Sequence, residues 1–141
     1  MLIFCDTSAL VKLVVKEEGS DRVAQAADRA EGLAVCRIAW AEAMAALAQR
    51  SRVKGANQRE LQQARHALIQ IWNHFAIVEI NQALVEKAGT FADAFALRGY
   101  DSVQLAAVHT LQEHATDRVI LACFDRRLNQ APLLMQLDVI E

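Results

Sequence analysis

The chain opens Met1-Leu2-Ile3-Phe4-Cys5-Asp6-Thr7-Ser8-Ala9-Leu10-Val11-Lys12-Leu13. Leu2 to Cys5 carries no polar residue, the pattern of a strand buried on both faces of a sheet. Asp6-Thr7-Ser8 ends that run, and Ala9–Val15 reads as a helix. A buried strand leading straight into a helix is the opening of an α/β unit, because parallel strands need a helical crossover to return.

The remainder repeats the alternation. Gly19-Ser20 breaks the first helix and caps a second over Asp21–Ala30. Gly32 precedes a second strand, Leu33–Cys36. The Ala-rich stretch Ala39–Lys54 predicts a long helix that Gly55 stops. Asn57 with Glu60 fits a capping box opening a helix to about His74. Ala76–Ile80 reads as a third strand, and Asn81 opens a helix to about Ala96. Arg98-Gly99-Tyr100-Asp101 reads as a turn feeding a helix to about His114. Val119–Cys123 predicts a fourth strand, Asp125–Gln130 a short helical turn and Leu137–Ile140 a last strand. The expected fold class is α/β, a mostly parallel sheet flanked by helices, in one domain over residues 1–141.

Composition narrows the class. Of 141 residues 54% are hydrophobic and 23% charged, which excludes intrinsic disorder. No apolar run approaches the roughly 18 residues of a membrane span. The N-terminus lacks a basic region and a cleavage site, so no signal peptide is expected. Cys5, Cys36 and Cys123 are widely spaced and form no CxxC pair. They are expected as small buried hydrophobes in a reducing cytoplasm. The net charge of −2 does not advertise nucleic acid. Four acids set aside as metal ligands, however, leave the rest of the chain net positive.

The acids fall where a parallel sheet places its ligands, beyond the carboxyl ends of strands. Asp6 follows the first strand and Asp125 the fourth. Asp101 starts a helix after a Gly turn, and Glu42 lies near the start of the long helix. Taken singly, each Asp reads as a helix cap and Glu42 as a first-turn acid. Taken together, crowded carboxylates repel and need a cation or a proton to coexist. Hard oxygen donors favour magnesium or manganese. His66, His74, His109 and His114 show no metal spacing. One or two such ions clamp a phosphate and activate water, the chemistry of phosphodiester cleavage.

Four blocks, in order, closely resemble PIN-domain proteins of the VapC toxin type. The first is Asp6 to Leu13 followed by Glu17-Glu18-Gly19-Ser20. The second is Glu42 on the long helix, followed by Ala-rich sequence and Arg50. The third is Arg98-Gly99-Tyr100-Asp101-Ser102-Val103-Gln104-Leu105-Ala106, and the fourth is Cys123-Phe124-Asp125-Arg126-Arg127-Leu128. The resemblance implies a Mg2+- or Mn2+-dependent endoribonuclease, the toxin of a type II toxin–antitoxin pair. It implies a homodimer and a VapB-type antitoxin whose tail covers the active site. Asp6 and Asp101 would be the main metal ligands, with Glu42 and Asp125 completing the pocket directly or through water. In-line attack of an activated water would leave a 5′-phosphate and a 3′-hydroxyl. Thr7 would orient Asp6 or a metal-bound water, and Ser8 would support the same site. The family often has Thr or Ser two residues before its last acid. Cys123 stands there, and a thiol is a weak hydrogen-bond partner, so weaker support of Asp125 is expected. Ser102 stands where the family commonly has Ala.

Other residues admit plainer roles. Lys12 and Arg98 are candidates for RNA phosphate contacts, or for a solvated helix face and a helix-end charge. Arg126 and Arg127 are candidates to guide the RNA strand or the antitoxin, or a solvated pair. Trp40 and Trp72 are expected in packing rather than base stacking. The Ala41, Ala45 and Ala48 face of the long helix permits close helix packing, by default an internal contact and alternatively a dimer seam. Among rival functions, a catalytically weak RNA-binding module of the same fold has no need to crowd its acids. An Asp-nucleophile phosphatase wants an acid two residues after the nucleophile, where Ser8 stands, and a later lysine, and none follows Lys87. A purely structural α/β protein would keep the acids only as caps.

Overall fold

The apolar runs form five strands that pair side by side, and every pairing among the described residues is parallel. The computed structural model describes residues 1–134 and 137–141. In chain order the elements are β1 (Leu2–Cys5), α1 (Thr7–Val14), α2 (Ser20–Arg29), β2 (Gly32–Cys36) and α3 (Ala39–Ser51). There follow α4 (Gln58–Trp72), β3 (Ala76–Val78), α5 (Gln82–Phe95), α6 (Gly99–His114), β4 (Val119–Ala122), α7 (Arg126–Leu134) and β5 (Asp138–Ile140). The sheet order is β3-β2-β1-β4-β5. β1 is therefore central, with Cys5 in register with Val35 on one side and Ala122 on the other.

Alternation along the strands sends side chains to two cores. Ile3, Cys5, Val35, Ile120 and Ala122 pack with Ala9 and Leu10 of α1, Val23 of α2, Ala39 and Ala43 of α3, and Leu68 and Trp72 of α4. Phe4, Ala34, Cys36 and Leu121 face the opposite way, against Leu84 and Ala88 of α5, Leu105 to Val108 of α6 and Leu128 of α7. Phe4, Ile3 and Leu10 have no exposed surface, and each contributes roughly 1.5–3 kcal/mol by leaving water. The edge strands β3 and β5 are only three residues long, which limits unpaired sheet edge. All three cysteines are free and buried. Among the described residues no helix is long and apolar enough to cross a membrane.

Several boundaries differ from those read off the sequence. Helix α1 starts at Thr7, two residues early, because Asp6 itself is the cap. Helix α3 ends at Ser51 and a turn reaches Gly55, whose φ is 83°. Helix α4 stops at Trp72, leaving His74 in a turn. Asp101 lies inside the first turn of α6 rather than in a preceding turn. Helix α7 runs past Gln130, with Leu128 and Ala131 buried in the core. The face of α3 that turns inward is Ala39, Ala43 and Leu47, while Ala41 and Ala45 are exposed. The expected internal contact through Ala41, Ala45 and Ala48 is thus corrected: the bulk of Leu47 decides which face is buried. Trp72 is buried, and Trp40 meets it edge-on with ring centroids 5.2 Å apart.

Ala96 closes α5 at φ 52°, ψ 43°, the left-handed region that costs a residue with a Cβ roughly 1–2 kcal/mol. Part of that is offset by the freedom glycine loses on folding, about 0.5–1 kcal/mol. Ala96→Gly is expected to stabilise the protein by about 0.5–1 kcal/mol in urea unfolding; a loss of stability would show that the Ala96 methyl is needed for packing.

Candidate active site

The chain order reverses between β1 and β4, so the carboxyl ends of these two strands flank the crevice where open α/β sheets bind ligands. Asp6 leaves β1 there, and Asp125 follows β4 after Cys123 and Phe124. Asp6 is only 5% exposed. Its Oδ1 accepts from the Ala9 backbone N–H at 2.9 Å and from Ser8 Oγ at 2.6 Å. Its Oδ2 accepts from Cys123 Sγ at 3.0 Å. Each donor is neutral. Burial therefore lifts the Asp6 carboxyl above its ordinary pKa, and Asp125 adds repulsion, against the opposing pull of those three hydrogen bonds.

Asp125 accepts from the Arg127 backbone N–H at 2.9 Å and so caps α7. The capping role holds for Asp6 and Asp125 and fails for Asp101. Arg98 occupies the cap position of α6. Among the described residues no hydrogen-bond donor or ion-pair partner reaches the Asp101 carboxylate. Its pKa is raised, first by burial and then by Asp125 and Glu42, with Arg98 and Arg127 opposing. Asp125 is thus the shared neighbour of Asp6 and Asp101, and Glu42 joins from α3.

The supporting residues are redistributed relative to expectation. Thr7 Oγ1 donates to Glu42 Oε1 at 2.8 Å, not to Asp6. Thr7 opens α1 with its side chain toward α3, whereas Ser8 is within reach of the cap. Ser8 also accepts from the Phe124 backbone N–H at 2.9 Å, which ties the exits of β1 and β4 together. The thiol of Cys123 supports Asp6 rather than the Asp125 carboxylate, and it accepts from the Asp125 backbone N–H at 3.4 Å. Ser102 turns back to the Gly99 carbonyl at 2.7 Å.

Lys12 is half-buried, with Nζ 3.0 Å from Glu17 and 4.9 Å from the Phe124 ring centroid. Arg50 completes that network at 3.0 Å from Glu17. Arg126 lines a neighbouring cleft of about 400 Å³ with Lys12, Arg22 and Phe124, while Arg98 and Arg127 lie in the field of Asp101. Gly19 borders this cleft at φ 90°, and a Cβ there would come within 2.8 Å of the Phe124 ring.

Two contributions escaped the sequence reading. One is the bond from the Cys123 thiol to Asp6, since the sequence had set that thiol only beside Asp125. The other is Gln104 on α6, which is 3% exposed. Its Nε2 donates to Glu42 Oε1 at 2.8 Å and to Thr7 Oγ1 at 3.3 Å. Its Oε1 is buried without a partner, a state that costs about 1–3 kcal/mol. The available signal was spacing: Gln104 lies three residues after Asp101, on the same helical face, beside the apolar run Leu105 to Val108.

The donor set is all oxygen and its members repel one another, which suits a hard divalent cation. Among the described residues no three acidic, His or Cys side chains stand close enough to enclose an ion. A magnesium ion keeps several waters and is usually held through one or two carboxylates, so a hydrated ion fits this arrangement where a closed cage would not.

Residues 3–133 match the PIN domain family. The chain belongs to the PIN-domain family. Two relatives from Mycobacterium tuberculosis are named ribonuclease VapC45 (strain CDC 1551 / Oshkosh) and ribonuclease VapC49 (strain ATCC 25618 / H37Rv). Each is 33% identical over 128 residues, 91% of this chain and 87% of the relative. Among solved structures, a toxin–antitoxin complex from Klebsiella pneumoniae aligns with a TM-score of 0.64 at 23% identity, covering 99% of this chain and 96% of that one. VapC20 of Mycobacterium tuberculosis, a sarcin–ricin loop cleaving toxin, aligns with a TM-score of 0.65 at 17% identity, covering 92% and 94%. These structures share the parallel sheet and flanking helices of this PIN domain.

A carboxyl with a raised folded pKa stabilises the fold below its unfolded pKa and loses that contribution as pH rises through the folded value. Ionised Asp101 therefore costs the metal-free PIN domain stability near neutral pH. Asp101→Asn removes that charge, and in EDTA its Tm is expected to equal the wild-type value or exceed it by about 1–3 °C. A Tm several degrees lower in thermal unfolding would show that Asp101 supports the fold rather than straining it.

Proposed function

We propose that this PIN-domain chain is a divalent-metal-dependent endoribonuclease, the toxin of a type II toxin–antitoxin pair of the VapBC type. The observation that carries the reading is the charge-coupled set Asp6, Asp125, Asp101 and Glu42 at the β1/β4 crevice. The relatives named ribonucleases support RNA as the substrate.

Mg2+ or Mn2+ would be held by Asp6 and Asp101, with Asp125 between them and Glu42 completing the pocket directly or through water. When bound, the ion supplies Lewis-acid stabilisation of the phosphate and an activated water. The chain's residues set the stage for that. Ser8, Cys123 and the Ala9 N–H fix the orientation of the Asp6 carboxyl. Thr7 and Gln104 fix Glu42. Arg98 and Arg127, beside Asp101, draw the phosphodiester backbone toward the acids, because phosphate contacts position a strand without reading its sequence. Lys12 and Arg126 extend that positive rim across Phe124.

A VapB-type antitoxin is the partner this reading implies, and the Klebsiella pneumoniae relative is itself described as a toxin–antitoxin complex. A homodimer and a cytoplasmic location belong to the same reading. A second reading, an RNA-binding module that cuts weakly, draws on the absence of an enclosed three-ligand set among the described residues. Mutual repulsion among the acids argues against it, since a binder has no reason to sustain it.

The test is cleavage of total cellular RNA by purified protein free of antitoxin, with Mg2+, with Mn2+ and with EDTA. Discrete fragments ending in 5′-phosphates are expected with either metal and none with EDTA, and Asp101→Asn is expected to be folded and inactive. Cleavage that survives EDTA, or an Asp101→Asn protein as active as wild type, would overturn the assignment.

A further inference from the structure

Glu42 is the one acid of the cluster contributed from α3, on the far side of the sheet from α6. Its Oε1 takes two hydrogen bonds, from Thr7 Oγ1 and from Gln104 Nε2, both at 2.8 Å. Its Oε2 meets no donor among the described residues. One oxygen is therefore pinned and the other is left to the site. The Gln104 amide also reaches Thr7 Oγ1 at 3.3 Å, so a single side chain on α6 joins the start of α1 to α3.

The two ends of that amide are treated unequally. Its nitrogen is doubly engaged, while its oxygen is buried with no partner. Turning the amide round would set its oxygen against a carboxylate oxygen. The charge on Glu42 thus dictates the orientation, and the acceptor end goes unmet. A glutamine kept for packing alone would be better replaced by an apolar side chain of the same length, since buried polar atoms are ordinarily paired. Gln104 is also three residues from Asp101, so α6 presents one acid of the cluster and the partner of another on a single face.

We infer that Gln104 is a positioning residue: its side-chain amide holds the Glu42 carboxylate in register with Asp101, so that the two can serve one divalent ion. The inference rests on the metal-dependent reading of the site given above. Hydrogen-bond partners of ligating groups typically change metal affinity or activity by about 10–100-fold when removed. Gln104 acts through Glu42 and needs no contact with RNA.

Stability and function should therefore move apart in Gln104→Met, which keeps length and burial and removes the orphaned oxygen. Its Tm in EDTA is expected at or above that of wild type. Its affinity for Mn2+, read from the free-ion EPR signal without RNA, is expected to fall about tenfold or more. On a fluorogenic oligoribonucleotide, kcat is expected to fall by a similar factor while KM stays within about twofold. Gln104→Asn keeps the amide but is too short to reach Glu42, and should lose Mn2+ affinity equally if Met at this position compromises folding. A folded Gln104→Met or Gln104→Asn protein that binds Mn2+ like wild type would overturn the inference. So would a rise in KM with Mn2+ affinity unchanged, which would place Gln104 on the RNA. If the wild-type chain itself bound no Mn2+, the reading of the site would fall first, and the positioning role with it.

Discussion

Repulsion among buried and half-buried carboxylates is the constraint around which this fold is organised. Two like charges about 4–8 Å apart near a protein surface repel by roughly 2–4 kcal/mol. A domain of this size has about 5–15 kcal/mol of stability in total. Asp125 lies in the field of both Asp6 and Asp101, and Glu42 in that of Asp101. The arrangement persists because each acid sits at the end of a well-buried element. β1 has three fully buried residues and β4 is buried throughout. The strands deliver Asp6 and Asp125, helices α6 and α3 deliver Asp101 and Glu42, and the two cores on either side of the sheet hold these elements in place.

The same acids also do ordinary structural work, which is why the functional and structural readings were hard to separate one residue at a time. Asp6 caps α1 and Asp125 caps α7. A cap stabilises by roughly 1 kcal/mol, which offsets part of the repulsion at those positions. Asp101 caps nothing, and among the described residues no donor reaches its carboxylate. Its place in the first turn of α6 gives it only the weaker help of the helix dipole. The cysteine at position 123 belongs in the same balance. A neutral thiol donor stabilises the Asp6 anion less than a charged partner would, so burial still raises the Asp6 pKa and a cation would be the stronger partner for its carboxylate.

Much of this was legible in the sequence. The all-apolar run Leu2 to Cys5, the alternation of strand and helix, and the placement of Asp6, Asp101, Asp125 and Glu42 near strand exits or helix starts all follow from local patterning. What was not legible depends on rotation about a helix axis. Thr7 and Ser8 are adjacent, yet one reaches Glu42 and the other Asp6, because successive helical residues point about 100° apart. Helix α3 has alanine on nearly every side, so its period does not announce a buried face; Leu47 and the sheet beneath it choose Ala39 and Ala43. Arg126 and Arg127 diverge for the same reason, one toward the cleft with Lys12 and the other toward Asp101. Gln104 sat in plain view within a recognised block, but its partner lies 62 positions away in sequence.

Net charge is a poor guide to the partner of such a site, because a strand of RNA responds to local potential. An acidic crevice alone would repel phosphate. Here the acids are bracketed by cations of two kinds. Arg98 and Arg127 act on Asp101 and oppose the rise that burial, Asp125 and Glu42 give its pKa. Lys12, Arg22 and Arg126 line the cleft around Phe124, where Glu17 pairs with Lys12 and Glu18 and Glu141 also stand. A divalent ion between the carboxylates would offset two of their four negative charges and, with Arg98 and Arg127 beside them, bring the crevice close to neutral, since a bound ion is often the largest single charge in its site. Metal and RNA would then be coupled ligands: each would be received better with the other in place, and by linkage the coupling free energy would be the same in both directions. In this reading the acidic total of the chain belongs to the metal-free state, and a bound cation would lessen the charge that an RNA strand has to approach.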